Sequence, residues 1–537
     1  MADGWDARPS EVRYGRLWGR GSVDPGRCVL TVIGDRTFTA GELWDGVEAR
    51  ARELVSAGLK RGDRLCLLQD NSSDLVLDLL AAFRLGIVVA PLNTALRGDS
   101  LAAMIRELAP CVVRPDADHH DLARAALAGS DGATVWAVGS TPTPSFSPRR
   151  DRDSTVREMH ESDLAVILST SGTTGLPKGV MWPHAMALGV AEHTTWVMGY
   201  DEQDTIYTCL PLFHINGLFC ALYAGLVVGA HVVIARRFSL SSFWEDVTGY
   251  GATATNMMGS IPALLWRQEP TPLERNHRLR IAMALPLPAD RKAFEERFGV
   301  RTTEVYGSTD AGIPLGIPHG THRPGSCGRP TPGWQAAVVD RHDHPVPDGV
   351  EGELVVRPLR AHLGPQGYWR RPETTVEVTR NQWIHTGDVV VRDHDGWYTY
   401  RGRDKEMVRV SGENVAPIQV ETVLLRHPDV AEVCVYGLPS ELGEEVVVAA
   451  VVPAAGANVD LVALRELAEA ELPYFAVPRY LWLLESLPKT ETSKVRKSLL
   501  VEKGLTDEHW DGGPPRRRPA RVVQGESGDY PPPYPTD

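Results

Sequence analysis

One stretch constrains this chain more than any other: "LAVILSTSGTTGLPKGV", Leu164 to Val180. Leu164–Leu168 is short, continuous and apolar, the pattern of a buried strand. It runs directly into Ser169–Gly175, where hydroxyls and glycines replace side-chain bulk. Glycine lets backbone N–H groups converge, and serine or threonine adds donors, so such a loop wraps closely around an anion. Lys178, behind Pro177, adds a positive charge, and a polyphosphate is the natural guest. An ordinary Gly/Ser surface loop has the same composition. A Walker A loop does not fit, because its GxxxxGK[ST] spacing requires a hydroxyl after the lysine and Gly179 stands there.

At 537 residues the chain exceeds what one core usually supports, so two or more domains are expected. A formal charge of −13, with no basic stripe interleaved with aromatics, argues against a nucleic-acid partner. Seven cysteines, scattered and without a CxxC pair, suit a reducing compartment. The N-terminus lacks the apolar stretch of a signal peptide, so a cytoplasmic location is the default. The apolar run Gly217–Ala235 contains His231 and three glycines, and reads as a buried helix followed by a buried strand rather than a membrane span.

From Arg64 to about residue 300 strand and helix patterns alternate, which implies βαβ units and largely parallel sheets. Arg64–Leu68 and Ile87–Ala90 read as strands around a helix capped by Ser73 and ended by Gly86. Between Gly325 and Asp395 short alternating strands with Gly, Asp and Pro turns suggest an antiparallel subdomain. Residues 406–505 read as a compact α/β piece, and 506–537 as a disordered Pro/Arg-rich tail.

Four further segments accompany the first: "YGSTDAG" (Tyr306–Gly312), "HTGD" (His385–Asp388), "YRGRDKEMVRVSGENVAP" (Tyr400–Pro417) and "LPKTETSKVRK" (Leu487–Lys497). Singly such turns are common. In this order and spacing the five resemble the adenylate-forming superfamily of acyl-CoA synthetases, aryl-CoA ligases, luciferases and nonribosomal adenylation domains, over roughly residues 30 to 500. "FSLSSFWEDV", "PTPLERNHRLR" and "FEERFGV" are similar to its crotonobetaine/carnitine-CoA ligase subgroup.

The resemblance implies an α/β fold: a large multi-sheet N-terminal domain (1–402) for ATP and acid, a hinge (403–405), and a small mobile α+β C-terminal domain (406–505). It also implies a ligase that adenylates a carboxylic acid with ATP and Mg²⁺ and passes the acyl group to coenzyme A. Residue by residue, Thr170, Ser171, Gly172, Thr173, Thr174, Gly175 and Lys178 would hold the leaving phosphates, and Thr309 would donate to the α-phosphate. Asp310 would bind the metal, Tyr306 and Gly307 would face the adenine, and Asp388 with Arg403 would take the ribose. Lys494 would bridge carboxylate and phosphate as a point charge. Lys405, otherwise an ordinary surface lysine, becomes the hinge, and Ser411 and Gly412 line the thiol tunnel. Asn216, Asn256, Met258, Gly259 and Leu285 fall at the acyl pocket. His214 reads either as a gate or carboxylate contact there, or as a packed core histidine.

This chain departs from the family pattern in three places. Asp310 stands where glutamate is usual, setting the carboxylate back by about 1.5 Å. Ser493 replaces the glycine before Lys494, and "MALPL" (Met283–Leu287) is bulkier than the usual Gly-Ala-Ala-Pro-Leu. The acceptor therefore stays open between coenzyme A, an amine, a carrier protein in trans, and nitrite chemistry of the arylamine diazotase kind; a homodimer is likewise open. Two look-alike motifs are set aside. "RGDSL" precedes a helix that Asp99 or Ser100 would cap, and "RHDHP" (Arg341–Pro345) reads as solvent-facing rather than metal-binding.

Overall fold

The computed structural model describes residues 23–128, 134–139, 159–170, 178–259, 261–285, 291–403, 408–410, 412–415, 417–440, 443–488, 495 and 497–514. Strands Arg64–Leu68, Val88–Pro91, Val112–Pro115 and Leu164–Thr170 lie parallel in a six-stranded sheet, with Lys178–Pro183 antiparallel at its edge. A seven-stranded sheet sets Thr205–Thr208, His231–Ile234, Ala254–Met258, Ile281–Leu285 and Arg301–Thr303 parallel. The expected βαβ alternation is thus present in both sheets. One buried cluster joins them, packing Leu65, Val89 and Val166 with Leu30, Ile206 and Val232 through Met186 and Phe219.

Local signals explain most element ends. Helix Ser73–Leu85 stops at Gly86, whose φ of 67° belongs to the left-handed region that glycine tolerates. Its cap is Ser72 rather than Ser73: the Ser72 hydroxyl accepts from the Leu75 N–H. Helix Gly98–Leu108 starts after Arg97 without a side-chain cap, so neither Asp99 nor Ser100 has the capping role expected of it. Asp99 instead pairs with Arg426 at 3.1 Å. The apolar run after Asn216 forms a π-helical segment Asn216–Tyr223, helix Ala224–Val228 and strand His231–Ile234. No helix among the described residues is long and apolar enough to cross a membrane.

Strands Trp334–Val339, Glu351–Pro358, Ile384–Arg392 and Tyr398–Arg403 form the expected antiparallel sheet. The smaller C-terminal part has its own core around Val420, Val435, Ala449, Leu464 and Leu481. Its sheet orders Val430–Pro439, Glu445–Pro453, Tyr480–Leu483 and His509–Asp511. That last strand pairs with Tyr480–Leu483 in antiparallel register, which corrects the expectation that order ends at Leu505.

Candidate active site

A cleft of roughly 2260 Å³ opens where the parallel sheets, the antiparallel sheet and the C-terminal part meet. Carboxyl ends of parallel strands and the loops after them form much of its wall, the usual ligand position in open α/β sheets. Thr170 and Lys178 face each other across the hairpin, the Thr170 hydroxyl donating to the Lys178 carbonyl at 3.4 Å. Gly179 permits close packing behind them, since a Cβ there would lie 2.6 Å from Ile167 Cγ2. Its carbonyl accepts from the Trp369 N–H at 2.7 Å, which brings Tyr368 alongside. Lys178 Nζ then sits 5.7 Å from the Tyr368 ring centre.

Strands Val305–Ser308 and Gly312–Gly316 enclose the turn that carries Thr309 and Asp310. The Trp182 indole N–H donates to the Thr309 carbonyl at 2.8 Å, fixing the turn against the hairpin. The Tyr368 hydroxyl donates to Asp310 Oδ1. Tyr306 buries most of its ring and donates its hydroxyl to Asp388 Oδ2 at 2.5 Å.

The turn before Asp388 is held from below by Glu353. Its Oε1 accepts the Gly387 N–H at 3.0 Å and its Oε2 lies 2.9 Å from His385 Nδ1. Asp388 pairs in register with Arg403, of which only the backbone is described. Asp343, Glu353 and His385 lie close enough together to suggest a cation site. Arg380 already donates to both Asp343 and Glu353 and offsets part of their charge, so the cluster carries no metal reading. His342 and His344 are exposed, as expected of that turn.

On the opposite wall, Asn71 fixes the segment carrying His214. Its Nδ2 donates to the Leu210 and Ala235 carbonyls at 3.0 Å each, and its Oδ1 accepts the Leu212 N–H at 2.9 Å. Gly217 allows this approach, because a Cβ would stand 2.5 Å from the Pro211 carbonyl oxygen. His214 Nε2 meets Glu413 Oε1 of the C-terminal part at 2.7 Å. Loss of water disfavours the charged imidazole, but the Glu413 carboxylate outweighs this and raises the His214 pKa. Gly412, at φ 80°, points its missing Cβ to within 3.8 Å of Gly259 Cα. Asn216, Met258 and Leu285 line the cleft, and Asn256 is fully buried behind Asn216.

The structure therefore gathers Thr170, Lys178, Tyr306, Gly307, Thr309, Asp310, Asp388, His214 and Gly412 around one cleft. Ser171, Gly172, Thr173, Thr174, Gly175, Lys405, Ser411 and Lys494 lie outside the described residues. Sequence reasoning missed Tyr368, Glu353 and Glu413. Glu413 adjoins the singled-out Gly412 and was within reach; Tyr368, in "GYW", carried no charge or motif to mark it.

Residues 20–369 match the AMP-binding enzyme family and residues 419–494 its C-terminal domain. A sulfoacetate–CoA ligase from Cupriavidus necator is 32% identical, over 88% of this chain and 94% of that protein. A crotonobetaine/carnitine–CoA ligase from Salmonella paratyphi B is 28% identical, over 87% of this chain and 93% of that one. Among solved structures, the amide bond synthetase McbA from Marinactinospora thermotolerans superposes with a TM-score of 0.81 at 26% identity, covering 91% of this chain and 99% of its own.

Proposed function

Because the chain belongs to the AMP-binding enzyme family and is similar to CoA ligases over most of its length, we propose that it is an ATP-dependent acid–thiol ligase that forms an acyl-adenylate and passes the acyl group to coenzyme A. One observation supports this most. Lys178, the Thr309–Asp310 turn and Asp388, from three separate parts of the chain, face one cleft that also receives His214 and the Gly412 loop.

In the first step a carboxylate oxygen attacks the α-phosphorus of ATP, an O–P bond forms, and pyrophosphate leaves. Two anions must meet, so catalysis rests on positioning and charge neutralisation. Lys178 and the Ser171–Gly175 hydroxyls and amides would take the leaving phosphates, and Thr309 and Lys494 the reacting centre. Asp388, steadied by Tyr306 and the Glu353-held turn, would accept from the ribose hydroxyls. The Asp310 carboxylate, an oxygen ligand turned to the cleft, fits Mg²⁺, which when bound neutralises phosphate charge. In the second step the thiol attacks the acyl carbon and AMP leaves. Its path would pass Gly412 and His214, and a change in the backbone at Lys405 would bring that loop into place.

The test is AMP release from ATP over a panel of acids, each with and without coenzyme A. AMP that rises with coenzyme A, together with a thioester, supports the ligase. Its similarity to an amide bond synthetase gives a second reading, in which an amine is the acceptor. AMP release indifferent to coenzyme A, with an amide formed on adding amines, would establish that one instead.

A further inference from the structure

The acid end of the cleft carries a polar relay that adenylation itself does not require. Asn256, fully buried on strand Ala254–Met258, accepts from the Tyr200 hydroxyl at 3.3 Å. Its Nδ2 donates to Asn216 Oδ1 at 2.6 Å. Burial pushes the Tyr200 ionisation far up, so its hydroxyl remains a neutral donor. A neutral phenol can donate or accept, so the direction is set at the other end of the relay, where the outgoing group is Asn216 Nδ2.

That amide nitrogen faces Met283 Sδ at 3.7 Å, and a thioether is a weak acceptor. The reverse orientation would set a carbonyl oxygen against the sulfur with no proton between them. Asn216 also opens the π-helical segment Asn216–Tyr223, and such wide turns recur at functional sites. Apolar side chains line this wall, Ile215, Cys220, Met258, Met283 and Leu285, beside His214, which is paired with Glu413. Arg291 and Glu304, which also line the cleft, pair with each other at 3.2 Å.

We propose that the acid activated here has a largely apolar body with a neutral hydrogen-bond acceptor, such as an ether, carbonyl or hydroxyl oxygen, at the end away from its carboxylate, and that Asn216 Nδ2 receives it. The inference rests on the adenylation reading and deepens it. Among the described residues of this wall, His214 and Arg291 are already paired with Glu413 and Glu304, so burying a second full charge at that end would be strongly unfavourable. A site built to hydrogen-bond its substrate also discriminates against analogues that lack the partner atom.

Matched acids test this: pairs of graded length, aliphatic and aryl, in which a distal ether or ketone oxygen is exchanged for carbon at constant size. A third member of each set carries a distal sulfonate or trimethylammonium. The readout is kcat/KM for AMP release. The oxygen-bearing acid should be preferred about tenfold or more, equivalent to about 1.4 kcal/mol. The charged analogue should be the poorest of its set. Asn216→Leu should bring the oxygen-to-carbon ratio close to one. Tyr200→Phe, which releases Asn256 from outside the cleft, should shrink that ratio and serves if Asn216→Leu does not fold. Ratios within twofold for the wild type, or ratios unchanged in the variants, would overturn the inference while leaving adenylation intact. A panel without any AMP release would overturn the adenylation reading, and this inference with it.

Discussion

Tyr306 directs its hydroxyl proton to Asp388 at 2.5 Å, across 82 positions of sequence. A hydrogen bond to a charged group contributes about 1.5–3 kcal/mol, and here it also stops the carboxylate from rotating. Tyr306→Phe keeps the ring packed beside Ala311 and Leu315 and removes that restraint. The expected result is a KM for ATP raised about tenfold, with a smaller effect on kcat, read by titrating ATP in the AMP-release assay. An unchanged KM would remove Tyr306 from holding Asp388. Sequence marked both residues, because each lies in a tight Gly-containing turn beside hydroxyls or carboxylates. It did not mark their pairing. Tyr368 with Asp310, 58 positions apart, and His214 with Glu413, 199 apart, show the same thing. A turn's composition shows what a side chain can donate or accept, whereas its partner is set by how separate sheets pack.

Strand and helix extents were legible where apolar runs end at glycine, as in the unit from Arg64 to Pro91. Caps were less so. Ser72 and Ser73 offer the same hydroxyl, and only the backbone at Ser72, at φ −157°, leaves the helix. Asp99 had the chemistry of a cap but lies against Arg426, far along the chain. The same helix Ser73–Leu85 holds a feature hidden in its apolar pattern, the fully buried Asp78. Its carboxylate accepts from Arg114 at 2.7 Å and Gln69 at 2.9 Å, and pairs with Arg50. Burial opposes the Arg50 charge, yet Asp78 and Asp74 outweigh it and raise its pKa. Asp78→Asn leaves Arg114, 2% exposed, without its counter-charge. Breaking a buried pair from one side costs about 3–5 kcal/mol. The urea midpoint should fall accordingly; a loss below about 1 kcal/mol would mean that water reaches these arginines.

At the scale of the whole molecule, the two parts hold separate cores; Ala95 packs against the smaller one, and polar contacts cross between them as well. Arg426 reaches Asp99, Asn93 approaches Glu413 at 3.4 Å, and His214 pairs with Glu413. Parts with separate cores and ion pairs between them can separate without breaking either core, which the hinge proposed near Lys405 would require. Sequence offered a hinge candidate at Lys405, outside the described residues, but no sign of the ion pairs between the two parts. The His214–Glu413 pair makes that closure depend on pH, with a definite sign. Because the docked state raises the His214 pKa, docking binds a proton. The contact is at full strength below the ordinary histidine value of about 6.5 and is lost as pH rises through the raised value. Glu413→Gln removes the attraction and leaves only the loss of water, so the His214 pKa should then fall below the ordinary value. Histidine NMR titration reads this directly, and small-angle scattering over the same pH range reads the docking. The wild type should open as pH rises through the raised His214 value, while Glu413→Gln should show no such transition. A His214 pKa that is the same in both proteins would mean that the pair does not form in solution and that other contacts hold the cleft closed.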